Sequence, residues 1–518
     1  HRYPACWRCK AELVWKVTDE WYISMDKKSI LDPKKPTLRE RMIKTAKKIE
    51  WIPGFGLKRE LDWLNNMHDW LISKKNRYWG LALPIWECKC GNFEVIGGKE
   101  ELEERAVLGL DKMKGKSPHK PQIDEVKVKC SRCGEICSRI EPVGNPWLDA
   151  GIVQFSTISE NNMASNFDVT NTKPLYFTNR EEWKKWFPVD FITESFPGQF
   201  KNWFYSMIAM STVLEDTNPF KTVLGFATQL GEDGRAMHKS WGNAIEFNEA
   251  ADKIGADVMR WMFARQDPKE NMLFGYKLAD DVRRQFHLKL WNVYNFFVTY
   301  ANLDDWSPEN ARESKEVLDV WLLSRLKETT SDVTEYLSKF DAYNASSLIQ
   351  QFVDDFSVWY IRRSRGRRDN NFYSTTYTAL RTLCLILAPF NPFITDEIYR
   401  NLTKEESVHL SSWPIVDTPN NAEKELISEM KKLREIVEVG HSIRKENNIA
   451  VRQPLSLFEI KLKEFEVGGL EQILLDELNV KSVKYSSKEN KFDLVITPEL
   501  KEEADTRELR SEEHTSEL

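Results

Sequence analysis

The chain has 518 residues, of which 30% are charged, and its formal net charge is −6. This length is too great for one hydrophobic core and predicts about three or four domains. No apolar stretch approaches the roughly 20 residues of a membrane span, so we expect a cytoplasmic protein with no membrane partner. The mildly acidic total does not exclude nucleic acid, because phosphate contacts depend on local patches of Lys and Arg.

Both ends of the chain indicate a fragment. The first residue is His1, with no initiator Met and no signal-peptide pattern, so we expect further sequence upstream. Residues 510–518 have the sequence RSEEHTSEL, which resembles the in-frame translation of a sequencing adapter. We therefore interpret residues 510–518 as a non-native tail.

The first predicted elements are a strand and a helix. Apolar side chains alternate through Trp15, Val17 and Trp21, which predicts a strand, and a Lys-rich helical stretch follows. Residues 69–86 are dense in aromatic side chains, so we expect them to pack against a sheet.

A polar insertion at residues 88–140 contains two close cysteine pairs. Its low apolar content predicts that its order does not come from a hydrophobic core. Each pair lies beside a glycine, as in the thiolate turns of a tetrahedral Zn²⁺ site. Disulfides are disfavoured in a cytoplasmic chain, so we predict structural zinc and keep unmetallated thiols and redox chemistry as alternatives. The predicted ligands are Cys88, Cys90, Cys130 and Cys133.

Four cysteines lie outside this set. Cys137 could replace one ligand, which leaves the fourth position open, and Cys384 lies in the apolar run TLCLILAPF of a predicted core. Cys6 and Cys9 form a CxxC pair with no second pair available in the chain. They are either exposed thiols or half of a zinc site whose other half lies upstream, and we favour the half-site.

Residues 141–247 have the pattern of a parallel α/β sheet, with apolar runs at Val189–Thr193 and Thr222–Gln229 around a helical run at Trp203–Leu214. After Asn248 the pattern is almost wholly helical. Apolar residues recur every three or four positions from Leu318 to Trp359, which predicts the amphipathic helices of a bundle. A helix at Glu423–Asn447 and alternating segments at Pro454–Ile460 and Val483–Ile496 then predict a small α+β module.

A candidate substrate site follows the first of these apolar runs. In the segment ESFPGQFKNWFY, Glu194 would hold an ammonium group, Gln199 would hydrogen-bond substrate and Trp203 would wall an apolar pocket. Trp147, in NPWLDAG, is a second candidate wall. A helix N-terminus with a core tryptophan explains the same spacing equally well, so both interpretations stay open.

A Gly-punctuated loop, DGRAMHKSWGN, occupies residues 233–243. Lys239 and the backbone N–H groups of the loop can gather around a polyphosphate and stabilise the negative charge that grows on a leaving pyrophosphate. A surface turn with one solvated lysine is the alternative for this loop taken alone.

Five arginines in seven positions follow Trp359 and Tyr360 at the end of a predicted helix. Such a cluster beside aromatic side chains suits RNA phosphates and stacked bases. For some of the five, a solvated helix face or intramolecular ion pairs remain alternatives. The five are Arg362, Arg363, Arg365, Arg367 and Arg368.

With these pieces in order, the chain resembles the class I aminoacyl-tRNA synthetases, and within them the isoleucine branch, over nearly all of residues 1–500. The loop resembles the KMSKS motif, with Ala236 and His238 in place of a lysine and a serine. ESFPGQFKNWF resembles EGxDQxRGWF, with one extra residue after Glu194 and with Gly198 in place of Asp. Further motifs that resemble the family are HRYPACWRC, GLALPIW, GADVMRWM, WYIRRSRGRR, LAPFNPFITDEIY and IAVRQPL.

The resemblance implies a fold and a role for each candidate residue. The fold would be α/β: the C-terminal half of a Rossmann-type nucleotide-binding domain with a zinc-binding insertion, then an all-α anticodon-binding bundle and a small α+β C-terminal piece. The arginine cluster would bind tRNA, and Lys239 would be the catalytic residue. ATP with Mg²⁺ would lie against Met237, His238, Lys239 and Ser240, and the aminoacyl-adenylate against Glu194, Gln199, Trp203 and Trp147.

The implied activity is the ATP-dependent ligation of isoleucine to tRNA(Ile) by a monomer. The HIGH motif and nearly all of the editing domain have no counterpart in the chain, so we expect the fragment alone neither to edit nor to activate isoleucine. A valine or leucine enzyme, or a non-catalytic tRNA-binding protein derived from a synthetase, are the alternatives. The implied segments are the exit from the editing insertion and return to the catalytic domain (1–87), the zinc insertion (88–140), the second Rossmann half (141–247), a connecting helical region (248–312), the anticodon-binding domain (313–420), a C-terminal junction module (421–509) and the tail (510–518).

Overall fold

A computed structural model describes residues 3–6, 9–15, 17–29, 32–75, 80–159, 173–461, 469–486 and 488–506. The chain divides into two compact units. The first consists of His1–Thr228 and Pro268–Asn271, and the second consists of Gln229–Asp267 and Met272–Leu518. The predicted tail at 510–518 lies outside the described residues.

The first unit mixes short strands and helices. Its strands are β1 (Tyr22–Ile23), β2 (Glu50–Ile52), β3 (Trp70–Leu71), β4 (Ser73–Lys74), β5 (Gly80–Leu81), β6 (Ile85–Glu87), β7 (Phe93–Val95), β8 (Ala106–Leu108), β9 (His119–Lys120), β10 (Lys127–Lys129), β11 (Ile136–Arg139), β12 (Val143–Gly144), β13 (Val189–Ser195) and β14 (Phe220–Phe226). Its helices are α1 (Leu38–Ala46), α2 (Phe55–Asn66), α3 (Lys99–Arg105), α4 (Pro146–Gly151), α5 (Val153–Ser156), α6 (Leu175–Thr178), α7 (Arg180–Trp183), α8 (Phe196–Gln199) and α9 (Trp203–Leu214).

A parallel sheet with the strand order β13-β14-β2 forms the centre of this unit. The register runs from Val189 beside Phe220 to Ser195 beside Phe226. Helix α9 is apolar on nearly all sides and is buried along most of its length, as expected for a helix that crosses between parallel strands. The predicted α/β alternation is therefore confirmed.

The insertion has a core of its own, so the prediction that its order comes from elsewhere was wrong. Five strands form an antiparallel sheet in the order β7-β6-β11-β10-β8. Buried Trp86, Ile123 and Val128 pack with the thiols of Cys88 and Cys137. Val128 and Cys137 are directly paired across β10 and β11, so their side chains lie on the same face of the sheet.

The strand predicted through Trp15, Val17 and Trp21 was also wrong. In the described part of this segment the only β-bridge before β1 joins Ala5 and Glu12. Trp15 is 90% exposed and Val17 is fully exposed, whereas Trp21 is half-buried and packs its ring against Phe93, so the three side chains do not share one buried face.

The second unit is mainly helical. Its strands are β15 (Gln229–Gly231), β16 (Met272–Phe274), β17 (Leu455–Lys461), β18 (Val480–Ser486) and β19 (Lys491–Phe492). Its helices are α10 (Phe247–Ile254), α11 (Ala256–Ala264), α12 (Tyr276–Val282), α13 (Leu288–Leu303), α14 (Val317–Ser338), α15 (Ala342–Asp354), α16 (Arg362–Ser364), α17 (Asn370–Leu387), α18 (Pro392–Thr403), α19 (Asn421–Glu446) and α20 (Leu470–Leu478), with π-helical segments at Arg283–His287 and Asp355–Ile361.

The helical bundle and the C-terminal module of this unit share one apolar core, which extends from Trp261 to Phe492. In the module, β17 pairs with β18 in parallel and with β19 antiparallel. Arg444, on α19, is 1% exposed, and its guanidinium donates to the carbonyl oxygens of Leu478 and Asn479 at the end of α20. The predicted bundle and α+β module are both present. None of the helices in the described part of the chain combines the length and the apolar character that a membrane span needs.

Candidate functional site

The four predicted zinc ligands meet in one cluster. Sγ atoms of Cys88, Cys90, Cys130 and Cys133 all lie within 4.8 Å of one another. Sulfur–sulfur distances are 3.5 Å for Cys88 and Cys133 and 3.8 Å for Cys90 and Cys130. Four thiolates about 2.3 Å from a tetrahedral Zn²⁺ ion lie roughly 3.8 Å apart, so the geometry fits this ion.

Tight turns bring each pair into place. Gly91 N donates to Cys88 O, and Gly134 N donates to Cys130 O. Both glycines have positive φ, 81° and 79°, which an L side chain rarely adopts. The backbone N–H of Cys133, with smaller contributions from Arg132 and Asn92, lowers the pKa of the Cys130 thiol to about 6.

Cys137 lies in the core beneath this cluster. It is fully buried, and burial raises the pKa of its thiol to about 12. Its Sγ is not one of the four that converge. The geometry therefore favours the original set of four ligands over a set that includes Cys137.

The turn at Cys6 has the same backbone pattern as the turn at Cys130. Cys6 N donates to Ala11 O at 2.8 Å and Lys10 N donates to Cys6 O at 2.8 Å, just as Cys130 N donates to Glu135 O and Gly134 N to Cys130 O. Lys10 takes the left-handed conformation of Gly134, with φ of 62°. The half-site interpretation of Cys6 and Cys9 stays a prediction, and this geometry supports it.

The loop with Lys239 lies in the second unit and is closed by one asparagine. Asn243 Oδ1 accepts from His238 N at 2.9 Å, and its Nδ2 donates to Ala236 O at 3.0 Å. Met237 packs on a small core around Phe274, whereas Lys239 is exposed, and among the described residues no carboxylate contacts its ammonium group. The side chain of Ser240 lies outside the described part of the structure.

The other cation of the loop is already paired. Arg235 donates to Asp233 at 2.7 Å, and the pair lies within the turn that precedes Lys239. The helix after the loop, α10, is capped by Glu246, whose side chain accepts from the N–H groups of Asn248 and Glu249. Of the lysine and arginine side chains in this loop, Lys239 is therefore the one that can bind an anion without first breaking an ion pair.

In the first unit, the residues predicted to bind an adenylate form a local network. Glu194 Oε1 accepts from Ser195 N at 2.8 Å, and Gln199 Oε1 accepts from Trp203 N at 3.1 Å, at the start of α9. Trp203 Nε1 donates to Ala150 O at 3.2 Å. This is the helix-start arrangement considered as the alternative, and the substrate role of Glu194, Gln199 and Trp203 stays a prediction.

Trp147 lines a cavity of about 950 Å³ in the first unit. Glycine at position 151 lets α4 approach α9, because a Cβ there would lie 2.7 Å from Ser206 O. Glu194, Gln199 and Trp203 are not among the residues around this cavity. The sequence did not indicate several polar and aromatic side chains that line this cavity. They are Trp63, Asp69, Trp70, Lys74, Asp149, Lys201 and Tyr205.

Four of the five clustered arginines are held by carboxylates within the second unit. Arg362 and Arg363 both donate to Glu477 on α20, at 2.7 and 2.6 Å. Arg367 donates to both oxygens of buried Asp319 at 2.7 Å, and Arg368 pairs with Asp304. Arg365 is exposed and contacts no acidic side chain in the described part of the chain.

Comparisons with known proteins agree with these features. The family model "tRNA synthetases class I (I, L, M and V)" matches residues 9–274, and the model "Anticodon-binding domain of tRNA ligase" matches residues 319–459. The isoleucine–tRNA ligase of Clostridium tetani is 37% identical over 94% of this chain, and that of Thermus thermophilus is 33% identical over 93%. The chain spans 46% of the length of each of these relatives.

A solved structure shows the same fold at lower identity. The LeuRS of Agrobacterium radiobacter K84, solved as a ternary complex with tRNA and LeuAMS, superposes with a TM-score of 0.51 and 18% identity. The match covers 70% of this chain and 43% of that chain. The predicted fold class is confirmed.

Proposed function

We propose that this chain, which belongs to the class I tRNA synthetases, is part of an isoleucine–tRNA ligase of the cytoplasm. The enzyme joins isoleucine to AMP and then to tRNA(Ile). The observation that carries the proposal is the 33 to 37% identity to isoleucine–tRNA ligases of distant organisms over nearly the whole chain. The reaction needs reactants held in line and phosphate charge stabilised, with no covalent bond to the enzyme.

Lys239 is the residue that we assign to the phosphate charge of ATP. Its ammonium group is exposed, and hydrogen bonds of the Asn243 side chain with His238 N and Ala236 O fix the loop backbone beside Lys239. A cation held in this way stabilises the negative charge that develops on the departing pyrophosphate, because the loop needs little rearrangement during the reaction. Met237 anchors the loop on its apolar side.

Structural zinc in the insertion is the second part of the proposal. Cys88, Cys90, Cys130 and Cys133 would hold the ion and tie β6 and β7 to the turn between β10 and β11. This insertion is small, and a metal supplies order that a core of its size does not supply fully. The sulfur geometry supports the assignment.

The test of the proposed activity is a chimaera in which this chain replaces the matching segment of the Clostridium tetani relative. We expect exchange of pyrophosphate into ATP that depends on isoleucine and charging of tRNA(Ile), with leucine and valine as poorer substrates. The 518-residue chain alone is expected to give no exchange. A preference for leucine or valine would favour the other branches. Binding of tRNA without any activation would favour a non-catalytic binding protein.

A second prediction concerns tRNA. Arg365→Ala is expected to weaken tRNA binding and to lower the slope of log affinity against log salt by about one unit, since this exposed guanidinium contacts no carboxylate. Arg363→Ala is the matched change within the cluster. Its side chain is 11% exposed and bound to Glu477, so we expect lower thermal stability with an unchanged slope. If Arg363→Ala lowers the slope and Arg365→Ala does not, the phosphate contact belongs to Arg363 and not to Arg365.

A further inference from the structure

One asparagine links the two halves of the cysteine cluster. Asn92 directly follows the turn of the first pair, and its backbone carbonyl accepts from Cys88 N at 2.9 Å. Its side-chain Nδ2 donates to Cys130 Sγ, in the second pair, at 3.5 Å. A shift of this residue would therefore move both pairs.

A buried carboxylate holds the amide of Asn92 in this orientation. Glu94 lies on β7 and is 7% exposed. Its Oε1 accepts from Asn92 Nδ2 at 2.8 Å, from Ser131 N at 2.8 Å and from Ser131 Oγ at 2.6 Å. Because Ser131 directly follows Cys130, the oxygen that orients the amide also fixes the backbone beside the thiol.

The second oxygen of Glu94 is tied to α3. Arg105 donates to Glu94 Oε2 at 2.5 Å and to Glu101 Oε1 at 2.8 Å, and Glu101 Oε2 accepts from Gly97 N at 2.7 Å. The hydrogen bonds from Ser131, followed by that of Arg105, hold the pKa of Glu94 at about 2. The carboxylate is thus fixed on both sides by groups of the insertion.

We propose that Asn92 and Glu94 are positioning residues of the zinc site. Asn92 donates to the Cys130 thiolate, and Glu94 orients the Asn92 amide and the Ser131 backbone. Four thiolates around a divalent cation leave excess negative charge, which an N–H donor to sulfur reduces. Hydrogen-bond partners of metal ligands commonly contribute a factor of about 10 to 100 in metal affinity. This inference rests on the proposed structural zinc.

The test follows Zn²⁺ release from the full chain to a chromophoric chelator. Asn92→Ala and Glu94→Gln are each expected to weaken Zn²⁺ affinity by about 10- to 100-fold. Glu104→Gln is the matched control, because Glu104 is an exposed glutamate on the same helix as Arg105. We expect this variant to release zinc as the unmodified chain does.

A second measurement separates positioning of the thiolate from general support of the fold. In the cobalt-substituted chain, Asn92→Ala is expected to shift the thiolate-to-cobalt charge-transfer band, and Glu104→Gln is not. Unchanged affinity and an unchanged band in Asn92→Ala and Glu94→Gln, even with reduced thermal stability, would overturn the positioning role and leave the zinc site standing. An unmodified chain that binds no zinc would overturn the site and this inference together.

Discussion

Replacement of Lys239 by Ala, in the chimaera with the Clostridium tetani relative, is expected to slow formation of isoleucyl-adenylate by roughly two to three orders of magnitude. This is the usual cost of removing one preorganised contact to transition-state charge. The affinity for isoleucine is expected to change little, because the ammonium group is assigned to the phosphates and not to the amino-acid side chain. Pyrophosphate exchange at saturating and limiting isoleucine measures both quantities.

Arg235→Ala provides the matched control for Lys239→Ala. It removes the same charge from the same loop, but the guanidinium already donates to Asp233 at 2.7 Å. We expect an exchange rate close to that of the unmodified chimaera. If Arg235→Ala abolishes exchange while Lys239→Ala does not, the phosphate contact belongs to Arg235. Indifference to both changes would direct attention to His238.

Cys130→Ser is expected to reduce bound zinc from about one ion per chain to almost none. Binding of structural Zn²⁺ contributes roughly 10 kcal/mol to the folding of small zinc domains, so the insertion should lose its cooperative unfolding transition as well. Elemental analysis of protein prepared without chelator measures the metal. Circular dichroism during heating, with and without added Zn²⁺, measures the transition.

Cys137→Ala is the matched control for the loss of a ligand. This thiol lies in the same small core as Cys88 but outside the converging set of four. We expect the variant to retain its zinc and to lose only packing stability. Loss of zinc from Cys137→Ala, with retention in Cys130→Ser, would make Cys137 the fourth ligand. Absence of zinc from the unmodified chain would remove the proposed site.

Local patterns were sufficient for several features. The CxC and CxxC turns depend on neighbouring residues and on a glycine at positive φ, so the two pairs could be recognised from spacing alone. Apolar runs gave β13, α9 and β14 for the same reason, since strand and helix periods are properties of short segments. The roles of individual site residues and the boundaries of the predicted segments remain predictions.

Other features depended on residues far apart in the sequence. Nothing near Arg362 or Arg363 indicates that Glu477, more than a hundred positions later, accepts from both. The same holds for Arg367 and Asp319. A run of arginines shows positive charge, but only packing decides which guanidinium groups a carboxylate neutralises and which one remains exposed.

The sequence by itself therefore determined the motifs that resemble the synthetase family, the cysteine pairs, the loop with Lys239 and the order of the α/β and helical regions. Each of these features depends on a short stretch of residues. Only the tertiary structure decided which alternating segments pair with another strand. Among the described residues, the predicted strand around Trp15 does not pair, and the Trp15 side chain is exposed. The tertiary structure also decided that Asn92 and Glu94 connect two cysteine pairs. Contacts of this kind arise when distant segments pack together, and no local spacing records them.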